Sequence, residues 1–324
     1  MTDLATRPAP AEALPATLEQ LATQAFTFAT ASKSPATIRA YRSDWAHFTA
    51  WCDTHGLAAL PAEPSTVALY LTDMAATAKV ATLTRRLSAI SQAHKTAGVD
   101  SPTSAQLVRT TMAGIRRTLG TAQVAKAPVL TADLRAITAG LDPARLIDVR
   151  DRAVLLIGFA GAFRRSELVA LDVEDVVDGT DGLTVTICRS KTDQAGAGRK
   201  VGIPYGSHPD TCPVRAYRAW LAAAEITSGP IFRSVDRHGN VGTQRLTGEA
   251  VALVVKRHAG RLGLDVGAYA GHSLRAGLAT AAAQAGASER AIMAQTGHKS
   301  LPMVRRYIRD GSLFRENAAA VVGL

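Results

Sequence analysis

Five side chains of the 324-residue chain are of types that can hold or react with an oxyanion, and each sits in an unusual local setting. Arg164 follows Gly161 inside an apolar stretch made by Leu155, Leu156, Ile157, Phe159, Phe163 and Leu168. A guanidinium can grip two oxygens of one phosphate, which an ammonium cannot. Glu167, three residues on, shares its helical face and can pair with it. His272-Ser273-Leu274-Arg275 places a histidine and a second arginine on one face of a helix, and Gly271 leaves room for another backbone. Gly297-His298 reads as a helix end with a glycine cap. Tyr307, among Arg305, Arg306 and Arg309, is a poor core residue. Taken singly, each has an ordinary alternative: Arg164 as a surface arginine, His298 as a partner of the helix dipole, Tyr307 as a surface ring or one that stacks on a base.

The elements that must position these residues are mostly helical. Residues 1–16 lack periodicity and are expected to be a disordered tail. Helices are expected at Thr17–Ala31, from Ser34 (with Ser34 as cap and Pro35 in the first turn), at Ser65–Lys79, Leu83–Ala97 and Ser104–Leu119. Residues 17–120 therefore read as an all-helical domain without strands. Gly120–Pro128 is linker-like, so 121–128 is taken as the linker and 129–324 as a second domain. That domain is expected to be α+β. A plausible N-cap at Thr131 and a helix at Asp148–Ala160 come first. A turn at Gly161 then feeds another helix, and strands follow at Leu183–Cys188 and Lys200–Pro204. Further helices are expected at Pro213–Ala224, Thr247–Leu262, Leu274–Ala285, Glu289–Thr296 and Leu301–Tyr307. The two strands make a small antiparallel hairpin with a Gly-rich tip. The fold class is mainly α with a small sheet.

Composition narrows the function. With 47% hydrophobic and 20% charged residues, the chain can bury large cores and is not disordered throughout. No apolar run is long enough to span a membrane, and the first fifteen residues lack the order of a signal peptide, so a soluble cytoplasmic protein is expected. Cys52, Cys188 and Cys212 are too few and too scattered for a disulfide framework, and no CxxC or HExxH pairing suggests zinc. The formal net charge of +10 favours a polyanionic partner, and both halves share the excess.

In this order the motifs resemble the tyrosine recombinase (phage integrase) family. The matching residues are Gly-x-x-Arg-x-Ser-Glu-Leu at Gly161–Leu168, Ser190-Lys191-Thr192, His272-x-x-Arg275, Gly297-His298 and Tyr307. The separations, 23 residues from Arg275 to His298 and then 9 to Tyr307, are also family-like. Ser273 and the Tyr-Ile-Arg ending are most similar to Cre-type members, while the Ser-Glu-Leu and Gly-His motifs are similar to the wider, XerC-type group.

The resemblance implies a core DNA-binding domain of SAM-like helices and a catalytic domain, closing on DNA as a C-shaped clamp. It implies metal- and ATP-independent cutting of one DNA strand through a covalent 3′-phosphotyrosine, followed by rejoining by way of a Holliday junction. The residues it carries over are Arg164, Lys191, His272, Arg275, His298 and Tyr307, with Glu167 bracing the site. Charge building on the nonbridging oxygens would be met by Arg164, Arg275 and a hydrogen bond from His298, and losing one such donor costs about 10²–10³ in rate. Tyr307 would be the nucleophile, conserving the bond energy in an ester. His272 would take or orient the phenol proton, and Lys191 would protonate the departing 5′-oxygen. No cofactor or metal is expected, since no carboxylate cluster suited to two-metal hydrolysis is present. Arg39, Arg42, Arg85, Arg86 and Lys95 are the expected DNA contacts of the first domain. The expected partner is double-stranded DNA with inverted-repeat sites, bound by a homotetramer that is monomeric when free of DNA. The apolar tail Ala318–Leu324 is expected to dock on a neighbouring subunit. Two rival readings are a type IB topoisomerase or telomere resolvase, and a DNA-binding protein without catalysis.

Overall fold

In the computed structural model, which describes residues 17–122, 125–188 and 198–312, the chain divides into two units, Met1–Gln123 and Val124–Leu324. The described part of the first unit is helical: α1 (Leu18–Ala31), α2 (Pro35–Thr54), α3 (Pro64–Met74), α4 (Val80–Thr96) and α5 (Gln106–Leu119). Ser34 caps α2 as expected, its hydroxyl accepting from Thr37 N at 3.2 Å, with Pro35 where no N–H is needed. Helical spacing of apolar residues gives each of α2 to α5 one inward stripe. Phe48, Tyr70, Leu71, Leu83, Ile90 and Met112 meet in a single core. His94 belongs to that interior: Nε2 accepts from Ala62 N at 2.9 Å and Nδ1 reaches Ile90 O at 2.9 Å. The third helix is shorter than the expected Ser65–Lys79. It stops at Met74, where Ala78 N turns back onto Met74 O, because Lys79 already serves as the cap of α4.

The second unit contains α6 (Thr131–Ala139), α7 (Leu146–Ala160), α8 (Arg165–Ala170), β1 (Val176–Asp178), β2 (Gly182–Ile187), β3 (Arg199–Pro204), α9 (Pro213–Ala223), β4 (Arg233–Val235), β5 (Val241–Arg245), α10 (Gly248–Arg261), α11 (Ser273–Gln284), α12 (Glu289–Thr296) and α13 (Leu301–Ser312). Strands β1, β2 and β3 form an antiparallel sheet in that order, with Val185 opposite both Val176 and Val201. The expected hairpin is β2–β3. Its tip, residues 189–197, lies outside the described residues, as do the N-terminal tail and the segment from residue 313 onward.

Three strands were not foreseen. β1 is only three residues long, and β4 and β5 are too polar to alternate. Their turn is made instead by Asp236, whose carboxylate accepts from the backbone N–H groups of His238 and Asn240 at 2.7 and 2.9 Å. The cap of α6 is Leu130, not Thr131: Asp133 Oδ2 accepts from Leu130 N at 2.9 Å and thereby closes the first turn. α13 continues past Tyr307 to Ser312.

Residues Ala153 to Ile157 of α7 are all buried and form the centre of the second core, against the sheet, α9 and α10. A charged knot fastens α7 to α10. Asp151, fully buried, accepts from Arg150 at 2.7 Å, from His258 Nε2 at 2.7 Å and from Arg257. A smaller cluster made by Ala279, Ala283, Ile292 and Val304 joins α11, α12 and α13, and Tyr307 packs at its edge. The alanines of α11 let α13 approach closely, which fixes where Tyr307 can reach.

Candidate active site

Three helix ends and one helix face deliver the reactive groups to a common cavity of about 700 Å³. Arg164 is the residue before α8. Its backbone N–H donates to Glu167 Oε2 at 3.0 Å and its Nη1 donates to Glu167 Oε1, so one carboxylate both caps the helix and holds the guanidinium. The Glu167 side chain is 1% exposed, a burial tolerable for a carboxylate only because cations surround it. The turn before α8 is tight. A Cβ on Gly161 would lie 2.1 Å from the Phe163 ring, which accounts for the glycine of this motif. Ala162 takes φ 48°, a left-handed conformation that costs an L-residue about 1–2 kcal/mol. That strained turn aims the Ala162 carbonyl into the site.

Arg275, one turn into α11, receives it. Nη1 donates to Ala162 O at 2.7 Å and Nη2 donates to His298 Nε2 at 3.1 Å. Burial, with the charge of Arg164, lowers the Arg275 pKa to about 10, so it stays cationic at neutral pH.

His298 follows Gly297, whose φ of 66° ends α12 in the expected left-handed cap. Its tautomer follows from its partners. The single proton of the Thr296 hydroxyl goes to Ile292 O at 2.7 Å, so Thr296 accepts from His298 Nδ1 at 2.8 Å, which leaves Nε2 as an acceptor for Arg275. Burial, then Arg275 and Arg164, push the His298 pKa down to about 4. The family resemblance implies that His298 donates to a phosphate. In the arrangement described it accepts, and donation from Nε2 requires the Thr296 hydroxyl to reverse.

Tyr307, partly buried on α13, places its hydroxyl 2.7 Å from His272 Nε2, and its ring stacks on His298 with centroids 5.8 Å apart. His272 caps α11 and keeps one edge exposed. Burial of the rest of the ring, with the charges of Arg275 and Arg164, draws its pKa below the ordinary histidine value. The neutral ring can accept the phenol proton.

Arg164, His272, Arg275, His298 and Tyr307 thus line one cavity, with Glu167 directly behind Arg164. Lys191 lies outside the described residues. Arg165 and Lys299 also line the cavity. They had not been singled out, although both stand inside or next to the motifs. Arg199, at the start of β3, reaches Glu167 from the far side and gave no signal in its own stretch of sequence.

The five basic residues expected to touch DNA belong to the first unit. Arg39, Arg42, Arg85 and Lys95 are exposed. Arg42 lines a groove between α2 and α4 of about 680 Å³ with Tyr41 and Trp45. Arg85 and Arg86 also face inward charge. Arg85 makes a two-pronged bond to the buried Asp44 at 2.7 and 3.0 Å. Arg86 lies 4.0 Å from the same carboxylate and over the Tyr70 ring.

Paired arginines around a phenol held by a neutral histidine are an arrangement that can support phosphoryl transfer to tyrosine, on a mainly helical scaffold. Comparison with known proteins agrees. Residues 130–312 match the phage integrase family and residues 26–97 match the phage integrase N-terminal SAM-like domain. The chain belongs to the phage integrase family, whose members are tyrosine-type DNA breaking-and-rejoining enzymes, and this membership supports site-specific recombination. It is 43% identical over 290 residues to an integrase/recombinase XerD homolog of Selenomonas ruminantium, covering 89% of this chain and 85% of that protein. It is 26% identical to the recombinase Cre of Escherichia phage P1, covering 81% and 80%. Among solved structures, a lambda integrase (75–356) dimer bound to a COC′ core site is similar in fold, with a TM-score of 0.60, 19% identity and coverage of 90% and 94%. XerH recombinase in a post-cleavage complex with palindromic difH is similar with a TM-score of 0.59, 18% identity and coverage of 81% and 73%. No helix among the described residues is long and apolar enough to cross a membrane.

Proposed function

We propose that the chain cuts and rejoins double-stranded DNA at specific sites through Tyr307. The observation that carries this reading is the Tyr307 hydroxyl held against His272 at the wall of a cavity that also presents Arg164 and Arg275. The Tyr307 oxygen attacks the scissile phosphorus and His272 accepts the phenol proton. The P–O5′ bond breaks, and Lys191 supplies a proton to the departing 5′-oxygen. Arg164 and Arg275 meet the charge on the nonbridging oxygens, where fixed cations in a water-poor pocket act most strongly. The product is a 3′-phosphotyrosyl ester. It retains the energy of the broken bond, so a 5′-hydroxyl from a second duplex can reverse the step and join strands from different molecules. Every atom of this cycle comes from protein side chains and DNA, with no cofactor.

Arg39, Arg42, Arg85, Arg86 and Lys95 serve the contact of the first unit with DNA. Four copies assemble on two inverted-repeat sites in the cytoplasm, from monomers in the absence of DNA, and the tail 318–324 docks on the neighbouring subunit. Pairwise strand exchange then passes through a Holliday junction. Incubating the protein with two labelled duplexes carrying its target site tests the reading. Recombinant joints between them are expected. Relaxation of supercoils without joints would assign a topoisomerase-like or resolvase-like role, and binding without cleavage would assign a non-catalytic DNA-binding protein.

A further inference from the structure

Glu167 has two cationic partners. Arg164 binds it in the manner described, and Arg199 Nη2 lies 3.6 Å from its other oxygen. Arg199 does not line the cavity. It is the first residue of β3, with 22% of its side chain exposed, and Nη1 donates to Gln295 O at 3.2 Å, at the end of α12. Nη2 is buried and makes no hydrogen bond. The guanidinium sits against Gly297, where a Cβ would come within 2.8 Å of Nε. A second arginine, half-buried and sharing one carboxylate, is costly: burial and the charge of Arg164 both disfavour its cation. An apolar side chain would fill the same space without that cost. The charge itself therefore has a use. When the Arg164 guanidinium turns toward a phosphate, Glu167 keeps the Arg164 backbone N–H but loses its nearest cation while remaining buried, and a buried carboxylate without a cation would pull the guanidinium back. Arg199 Nη2, 3.6 Å from Glu167 Oε2 and without a hydrogen-bond partner, is within reach.

We infer that Arg199 is a positioning residue: it takes over Glu167 when Arg164 engages the substrate phosphate, and it holds the Gly297–His298 turn in register with β3. This rests on the proposed reaction. The experiment measures single-turnover attachment of DNA to the full-length protein at saturating DNA. Arg199→Ala is expected to slow attachment by about 10²-fold, the scale of a remote misplacement, while DNA affinity changes little. Adding Glu167→Gln to Arg199→Ala is expected to restore much of the rate, because a neutral Glu167 replacement no longer holds Arg164. A role in folding alone would make the double variant worse. If Arg199→Ala melts, Arg199→Lys and Arg199→Gln replace it, and the lysine variant is expected to be about tenfold the faster. Wild-type rates in Arg199→Ala, multiplied losses in the double variant, or equal lysine and glutamine variants would each overturn the inference. An inactive wild type would overturn the proposed reaction, and this inference with it.

Discussion

The Tyr307 hydroxyl stands 2.7 Å from His272 Nε2, joining α13 to the start of α11 across 35 residues of sequence. The bond requires a neutral imidazole if the phenol is to give up its proton. Burial and the two nearby arginines favour that form, holding the His272 pKa below the ordinary histidine value of 6.5. The rate of DNA attachment is therefore expected to rise with pH along a limb lying below pH 6.5 and then level off through neutrality. Single-turnover attachment across pH 4.5–8 checks this. A rate that climbs only above pH 6.5, or that falls through neutrality, would show that His272 does not act as a neutral acceptor.

His298 ties the site to folding. Its pKa is near 6.5 when unfolded and is pushed down to about 4 when folded. Between those values the unfolded chain binds more protons, so stability is complete above about pH 6.5 and declines as pH falls toward 4. Urea unfolding at pH 7.5 and 5 is expected to reveal a loss on acidification that is smaller in His298→Gln than in the wild type. Equal losses in the two would contradict the assignment.

The Asp151 knot between α7 and α10 predicts a purely structural defect. Asp151→Ala leaves Arg150 buried without its counter-ion, and removing one partner of a buried pair costs about 3–5 kcal/mol. Denaturant melts measure it. A change below about 1 kcal/mol, the ordinary value for an exposed pair, would mean the knot is well solvated.

Lys191 stands outside the described residues, so its role rests on its motif. Lys191→Ala is expected to slow cleavage of ordinary DNA by about 10²–10⁴-fold, the usual worth of a general acid. A substrate whose leaving group needs no proton is expected to be cut by wild type and variant alike. If the variant stays slow on that substrate, Lys191 does not protonate the leaving oxygen.

Much of this architecture was legible because helices announce themselves by spacing and caps. Ser34-Pro35 and Gly297 marked real helix boundaries, and α12 falls at Glu289–Thr296 as expected. The strands were harder. β4 and β5 carry Arg, Ser, Thr and Gln, and the Asp236 turn, not an apolar alternation, holds them together. At the site, the order of Arg164, His272, Arg275, His298 and Tyr307 could be read along the chain, but their pairings could not. That Ala162 adopts a left-handed turn to feed Arg275, that Thr296 sets the His298 tautomer, and that Arg199 reaches Glu167 all depend on contacts between residues far apart in sequence. In the first unit, nothing local to Arg85 and Arg86 reveals the buried Asp44 that both approach, although Arg85 keeps half of its side chain exposed.

The central claim is that the Tyr307 oxygen becomes bonded to DNA. The most direct test traps the protein on a nicked duplex carrying its target site, isolates the covalent complex and maps the modified peptide by mass spectrometry. The account predicts a 3′-phosphate ester on Tyr307 in the wild type, and no adduct in Tyr307→Phe despite retained DNA binding. An adduct on another residue, or equal attachment by Tyr307→Phe, would contradict it.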